Sequence, residues 1–357
     1  MTRPVVVLEA EAGGHRMLYL AAVASYLHAR GTPVALASTA EALRSEDLRL
    51  RVPPGRVEAI DVGAVPSAAG MVDAVARVQA DRPDAEVLVT EGDKFLPALV
   101  LRRAPVDPRR LRVLVMRAPG SGAGGVRARA RDAVKVAAMR LAARRGAQVR
   151  VLEPATAPRA DYRWGRWRSA PDPVDVAPGS APPELAGADP GRHWLGVLGH
   201  VGPRKNLDLV LDAAAASGVA GRLGVLVAGR VEDGEWDRCA AARERFTAAG
   251  GTVLAADRLL DDDALDACLA RVDTVVLAHS SEGPSGILGR AVALGTPVVA
   301  AGARSLRADV DRLAAGHWVP LEQASLATAL AEASTTDAPR GPRTLAGPDE
   351  FARALLT

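Results

Sequence analysis

Ser280-Ser281-Glu282-Gly283-Pro284-Ser285-Gly286-Ile287-Leu288-Gly289-Arg290-Ala291-Val292-Ala293-Leu294-Gly295-Thr296-Pro297-Val298-Val299 reads as a loop, a helix and the start of a strand. The apolar run Val275-Val276-Leu277-Ala278 precedes it and ends in polar residues. Ile287, Ala291 and Leu294 fall on one helical face, and Gly295 is the residue type that closes helices. Thr296-Pro297 then leads into a second apolar run. Strand, loop, helix, strand is half of a βαβ unit, with its loop at the positive end of the helix dipole. Pro284 has no N–H, but Ser285, Gly286 and Ile287 do, and first-turn amides lack intrahelical partners. Such a loop suits a diphosphate, or serves as a plain connection between strand and helix. Glu282 stands at its mouth.

A chain of 357 residues has room for two domains of ordinary size. With 48% hydrophobic and 24% charged residues the composition is that of a globular protein. Only 3% is aromatic, so the cores must be built from Val, Leu and Ala. A net charge of +3 does not point to a nucleic-acid partner. Cys239 and Cys268 are too few for a disulfide framework and lack metal-ligand spacing, which suits a reduced, cytoplasmic setting. The N-terminus passes directly into Val5-Val6-Val7-Leu8 and reads as a first strand, not a secretion signal. Nearly all basic residues are Arg, a habit of GC-rich, actinobacterial-type genomes. Lysine occurs only at 94, 135 and 205, so each marks a place where a compact ammonium is wanted.

Along the chain, strand one gives way to Glu9-Ala10-Glu11-Ala12-Gly13-Gly14-His15 and a helix from Met17 to Ala29, then to strand two at Pro33-Val34-Ala35-Leu36-Ala37. The spacing Gly-x-Gly-x-x-Gly is absent after strand one, which argues against a nicotinamide or flavin site. Further strands are predicted at 57–62, 85–90, 111–116 and 148–152. Thr90-Glu91-Gly92-Asp93-Lys94 lies at the carboxyl end of its strand, where Glu91 and Asp93 either touch an acceptor hydroxyl or cap a helix over 95–103. A helix over 126–145 places Val126, Ala130, Ala133, Val134, Ala137 and Leu141 on one stripe, flanked by Arg127, Arg131, Lys135, Arg140 and Arg144. That stripe packs on the sheet, or the basic helix rests on an anionic membrane surface. Asp161-Tyr162-Arg163-Trp164-Gly165-Arg166-Trp167-Arg168 interleaves Arg and Trp, and either anchors a domain edge or stacks on a ligand.

Residues 171–190 are Pro-rich and read as an interdomain linker. Trp194-Leu195-Gly196-Val197-Leu198 restarts the strand pattern, followed by the loop Gly199-His200-Val201-Gly202-Pro203-Arg204-Lys205-Asn206 and a helix from Leu207, with Asn206 as its N-cap. Strands near 223–228, 252–256 and 272–278 alternate with helices near 234–249 and 262–270. Asp261-Asp262-Asp263 supplies a cap and first-turn acids to the latter helix, not a metal site. Helices near 304–315, 322–333 and 348–356 complete the pattern.

The opening stretch resembles the signature of the retaining glycosyltransferases of family 4, which share the GT-B fold. That signature reads Glu-Gly, a short Gly-containing loop, a second Glu, then Ala-x-Ala-x-Gly-Thr-Pro-Val-Val. Glu282 matches the first Glu, and Ala291, Ala293, Gly295, Thr296, Pro297, Val298 and Val299 match the end. Position 290, where the second Glu belongs, is Arg. Gly199 and Lys205 match a second family pattern, a glycine after a strand and a Lys six residues on. His200 stands where an Arg often follows, and Arg204 is adjacent to Lys205.

The resemblance implies an α/β chain with two Rossmann-like domains facing a central cleft. An acceptor-binding domain would span 1–170, a linker 171–190 and a nucleotide-sugar donor domain 191–335, with a tail, 336–357, crossing back. It implies sugar transfer from a nucleotide-diphosphate sugar to an acceptor hydroxyl with anomeric retention and no metal or other cofactor. Lys205, Arg204 and Glu282 would act in catalysis. The donor would be held by Gly13, Gly14, Gly199, His200, Arg258, Leu259, Ser285, Gly286, Ile287 and Arg290, and the acceptor by His15, Glu91 and Asp93. The acceptor would be a small molecule or lipid-linked, with no nucleic-acid partner. Arg has only donors, so Arg290 cannot accept the ribose hydroxyl bonds that the matching Glu takes. Either other acceptors hold the ribose, or Arg290 meets extra negative charge on an atypical donor, or the chain binds without turnover. A noncatalytic nucleotide-sugar-binding or scaffold protein is the alternative, and an epimerase of the same fold a third.

Overall fold

The computed structural model describes residues 3–11, 15–65, 67–102, 104–117, 126–153, 167–282, 285–336 and 341–357. Among them the chain forms two compact units, Met1–Pro173 with Ala346–Thr357, and Val174–Leu345.

The first unit runs β1 (Val5–Leu8), α1 (His15–His28), β2 (Val34–Ser38), α2 (Ala40–Leu43), α3 (Glu46–Arg51), β3 (Glu58–Asp61), α4 (Ala68–Asp81), β4 (Glu86–Val89), α5 (Gly92–Leu101), β5 (Leu111–Val115), α6 (Val126–Arg144), β6 (Gln148–Glu153) and β7 (Arg168–Pro171). The second runs β8 (His193–Leu198), α7 (Leu207–Ala216), β9 (Leu223–Ala228), α8 (Glu235–Ala248), β10 (Thr252–Ala256), α9 (Asp262–Arg271), β11 (Thr274–His279), α10 (Gly286–Leu294), β12 (Val298–Gly302), α11 (Arg304–Leu313), β13 (Gly316–Val319) and α12 (Gln323–Ala333). The last helix, α13 (Pro348–Leu356), belongs to the first unit.

Continuous apolar runs such as Val5-Val6-Val7-Leu8 and Val275-Val276-Leu277-Ala278 are buried throughout, as strands covered on both faces must be. Among the described residues all strand pairs are parallel. The seven-stranded sheet has the order β3-β2-β1-β4-β5-β6-β7 and the six-stranded sheet β10-β9-β8-β11-β12-β13. In each, the chain winds outward in one direction from its first strand and then resumes on that strand's other side. The reversals fall between β1 and β4, and between β8 and β11. Open α/β sheets bind ligands outside the carboxyl ends of the strands at these points, because the connecting loops diverge there.

Cores of Val, Leu and Ala cover both sheet faces. In the first unit Val72, Val75, Phe95, Leu96 and Met139 fill one face, and Tyr19, Leu20, Phe351 and Leu355 the other. Tyr19 and Phe351 lie 5.0 Å apart between ring centroids, seating α13 on α1. In the second unit Val210, Leu211, Phe246, Leu326 and Leu330 cover one face. Cys268, Leu269, Ile287, Leu288, Ala291, Leu306 and Val310 cover the other.

The Pro-rich segment is divided between the units: residues from Val174 onward belong to the second, where Leu185 is buried in the core. Likewise residues up to Leu345 stay with the second unit, and only Ala346–Thr357 return to the first. α6 is rotated relative to the sequence reading. Among its described side chains Val136, Ala138, Met139 and Ala142 are buried and Leu141 is half-buried, while Val126, Ala130, Ala133, Val134 and Ala137 face outward. Alanine on every side of this helix left two stripes of comparable apolarity, and the larger Met139 chose between them. Edge strands β7 and β13 are short and bear Pro171 or Gly316, so no periodicity announces them. The Trp/Arg segment lies largely outside the described residues; Trp167, its described indole, packs on the first core.

Candidate functional site

At the carboxyl end of β8 the chain turns at Gly199, whose φ of +84° lies in the left-handed region. A Cβ there would sit 3.3 Å from the Ile287 Cδ1 and 3.5 Å from the Lys205 Nζ. Absence of a side chain thus leaves one small space bordered by both. Pro203–Lys205 makes a single 3-10 turn, and Asn206 follows at φ +48°. Asn206 begins α7 but its side chain does not cap it. Its Nδ2 instead donates to the Ala278 carbonyl at 2.8 Å, tying this turn to the end of β11. The Arg204 carbonyl accepts from the Ser280 N–H at 3.0 Å, a second tie between the same loops.

Those ties bring Lys205 into the interior at the β8/β11 reversal, where it is only 5% exposed. Its Nζ donates to the Leu198 carbonyl. Burial, and then the charge of Arg204, push the ammonium down from 10.5 to about 7. Arg204 itself is exposed at the loop surface.

On the other side of the reversal, α10 opens at Ser285, whose Oγ accepts from the Leu288 N–H at 3.4 Å. The cap takes the third amide of the helix and leaves those of Gly286 and Ile287 at its mouth. Glu282 is engaged elsewhere. Its two carboxylate oxygens accept from the Arg304 and Ser305 N–H groups at 3.0 and 2.9 Å, so it caps α11.

His279, the last residue of β11, is buried with 6% exposure, and its Nε2 has no hydrogen-bond partner among the described residues. Burial first, then Lys205 and Arg204, depress its pKa from 6.5 to about 3, so the ring is neutral.

Arg290 lies on α10 but turns from the helix mouth to α9. Its two terminal nitrogens donate to Asp266 at 2.5 Å and Asp262 at 2.9 Å. Asp266 is buried beside it and also accepts the Ala177 N–H at 3.0 Å. Both carboxylates sit on one face of α9 at i and i+4, a fork that matches a guanidinium. Asp261 meanwhile caps α9, its Oδ1 accepting from the Ala264 N–H at 2.8 Å.

The remaining second-unit candidates lie further out. His200 is exposed and faces Glu232 at 3.0 Å. Arg258, after β10, pairs with Glu184 at 3.2 Å, and Leu259 is half-buried beside it. β10 is two strands from β8, at the sheet edge.

In the first unit Gly13 and Gly14 lie outside the described residues. His15 begins α1. Glu91 occupies the N-cap position of α5 without capping it; its carboxylate meets Arg16, and Lys94 at 3.2 Å. Asp93 accepts from the Met116 N–H at 2.7 Å and from Lys135 at 2.5 Å, bracketing α5 to the end of β5 and to α6. α5 thus starts at Gly92, earlier than the apolar run suggested.

Sequence reasoning passed over Glu9, Arg16 and His279. Glu9 is fully buried at the β1/β4 reversal, accepting from Thr90 and, at 2.9 Å, from the Glu11 N–H. Burial raises its carboxyl from 4.5 to about 7, against the opposing pull of Arg16. Arg16 bridges Glu9, Glu11 and Glu91. The available signal was positional: Glu9 directly follows the buried strand β1, and His279 closes the buried strand β11.

The architecture recurs among solved structures. WaaG, a glycosyltransferase involved in lipopolysaccharide biosynthesis, superposes with a TM-score of 0.61 at 15% identity, covering 98% of this chain and 94% of its own. Anabaena Alr3699/HepE in complex with UDP and glucose gives 0.60 at 16% identity, covering 99% and 94%. Sucrose-phosphate synthase from Thermosynechococcus elongatus gives 0.62 at 14%, covering 99% and 93%. The fold is GT-B. Residues 192–335 of this GT-B chain also match the family model described as Glycosyl transferases group 1, which spans the loops of Lys205 and α10. No curated protein sequence matches the chain.

Proposed function

We propose that the protein transfers a sugar from a nucleotide-diphosphate donor to an acceptor hydroxyl with retention of anomeric configuration, in bacterial glycoconjugate or natural-product biosynthesis. One observation carries the reading. At the β8/β11 reversal, the ammonium of a buried lysine and the side chain of Ile287, in the first turn of α10, both lie against Gly199.

Breaking a sugar–phosphate bond places negative charge on the departing diphosphate. Lys205 and Arg204 supply cations to that charge, and the Gly286 and Ile287 amides supply fixed dipoles. An anion arriving beside Lys205 restores the ammonium that burial disfavours, so binding and protonation reinforce each other. The leaving phosphate then deprotonates the acceptor on the same face, and the chain needs no nucleophile of its own. The test is initial-rate transfer from UDP-, GDP-, dTDP- and ADP-sugars, with the product anomer read by NMR. Lys205→Ala is expected to lose about 10²–10³ in kcat, or about 3–4 kcal/mol. Normal turnover in that variant would remove Lys205 from the reaction.

A second reading, nucleotide-sugar binding without turnover, draws on the internal engagement of Glu282 and Arg290. Thermal-shift titration with the same nucleotides detects binding under either reading. Binding with neither transfer nor donor hydrolysis selects the second.

The acceptor falls to the first unit, at the β1/β4 reversal where Glu9, Arg16 and Glu91 meet. The outward stripe of α6, with Val126 and Val134 exposed among arginines, suits an anionic membrane surface bearing a lipid-linked acceptor. Among the described residues no helix is long and apolar enough to cross a membrane. Vesicles containing anionic lipid should bind the chain, and Val134→Asp should release it; equal binding to neutral vesicles would dismiss this contact.

A further inference from the structure

His279 has no part in the proposed transfer, yet the fold places it at the β8/β11 reversal. It ends β11, and the two hydrogen bonds that tie the Lys205 turn to this strand flank it: Asn206 to the Ala278 carbonyl and Ser280 to the Arg204 carbonyl. Its backbone is fixed too, since its carbonyl accepts the Ala303 N–H at 2.9 Å. The ring is 6% exposed and its Nε2 meets no partner among the described residues. A buried polar nitrogen in that condition is costly, and interiors normally pair such groups.

Cations, not carboxylates, are the charges that act on it. Lys205 and Arg204 both disfavour a second positive charge, while the nearby Glu282 carboxylate is taken up by the amides of α11. The ring therefore remains a neutral imidazole beside a buried ammonium. A neutral imidazole carries one N–H, and an N–H next to cations complements an anion without adding to their repulsion.

We infer that His279 is a diphosphate-binding residue, its Nε2–H donating to a phosphate oxygen held at the same time by Lys205. The assignment rests on the sugar-transfer reading for the source of the diphosphate, but its chemistry requires only the anion. Lys205 would supply charge and His279 direction, fixing which oxygen faces the ammonium.

Calorimetric titration of the full chain with inorganic pyrophosphate tests it, alongside His279→Phe and His279→Gln. Phe fills the space with no donor, whereas the Gln amide nitrogen reaches about as far as Nε2. His279→Phe is expected to weaken pyrophosphate binding about tenfold to hundredfold, the range of a hydrogen bond to a charged group, and His279→Gln to restore most of it. Without ligand, His279→Phe should melt no lower than the wild type, because it removes an unsatisfied nitrogen. The affinity ratio of wild type to His279→Phe should stay constant between about pH 6 and 8, since the ring does not titrate there.

Equal pyrophosphate affinity in wild type and His279→Phe would overturn the assignment, as would a Gln variant as weak as Phe. A ratio that grows toward low pH would overturn it as well, by showing a cationic ring. Failure of the wild type to bind pyrophosphate would have the same effect. Pyrophosphate affinity that follows His279 in a chain unable to transfer sugar would sink the transferase reading and leave the assignment standing. Transfer with affinity indifferent to His279 would do the reverse.

Discussion

Lys205 is read twice, once from sequence as a rare lysine after a strand, and once from structure as a buried ammonium. Only the second reading has consequences for pH. Unfolded, the side chain keeps its proton up to about 10.5; folded, it releases it near 7. Between those values the unfolded chain holds the extra proton, so stability rises with pH across that window. Glu9 acts oppositely. Its folded carboxyl holds a proton from about 4.5 to 7 that the unfolded chain has released, so stability falls with pH across that lower window. Urea-unfolding midpoints measured against pH should show both slopes; Lys205→Met should flatten the upper one and Glu9→Gln the lower. An unchanged upper slope in Lys205→Met would mean that the ammonium is not buried. The sequence made Lys205 visible because lysine is scarce. It hid His279 and Glu9, because a polar residue closing an apolar run looks like the start of a loop, and burial depends on strands far away in sequence.

Among the elements, α10 was the most legible, because its signals are local. Ser285 caps it, Gly295 closes it at φ +74°, and Pro297 precedes the next strand. What lies across from α10 was not legible. Arg290 stands where the resembled signature places a ribose contact, but its partners Asp262 and Asp266 belong to a helix 24 to 28 residues earlier. A guanidinium buried at the α9/α10 contact is held by two carboxylates, and the ribose would then rest on other acceptors. Arg290→Met strands the buried Asp266 and should cost about 3–5 kcal/mol, the scale for removing one member of a buried pair. Arg290→Met with Asp266→Asn should recover part of it, as a double-mutant cycle in urea would read. Losses that simply add would mean the two side chains are not coupled. Arg290→Glu, which places a Glu where the resembled signature has one, should destabilise further by setting three carboxylates together. α6 teaches a related point. Its apolar residues surround the helix, and only the tertiary choice of Met139 over Val134 set its phase.

For the whole molecule, strand order is what gives the local features meaning. Alternating apolar runs and helices made two Rossmann-like sheets readable, but the position of each reversal follows from pairings of β1 with β4 and β8 with β11 that no local pattern encodes. Once those pairings are in place, Lys205, His279 and the α10 mouth converge at one reversal, and Glu9, Arg16 and Glu91 at the other. The most direct measurement of this convergence is a crystal structure of the chain with UDP or GDP bound. The diphosphate should lie beside Gly199, with an oxygen within hydrogen-bond reach of Lys205 Nζ and of the Gly286 or Ile287 amide. A diphosphate seated elsewhere, with Lys205 still donating to the Leu198 carbonyl, would contradict the account.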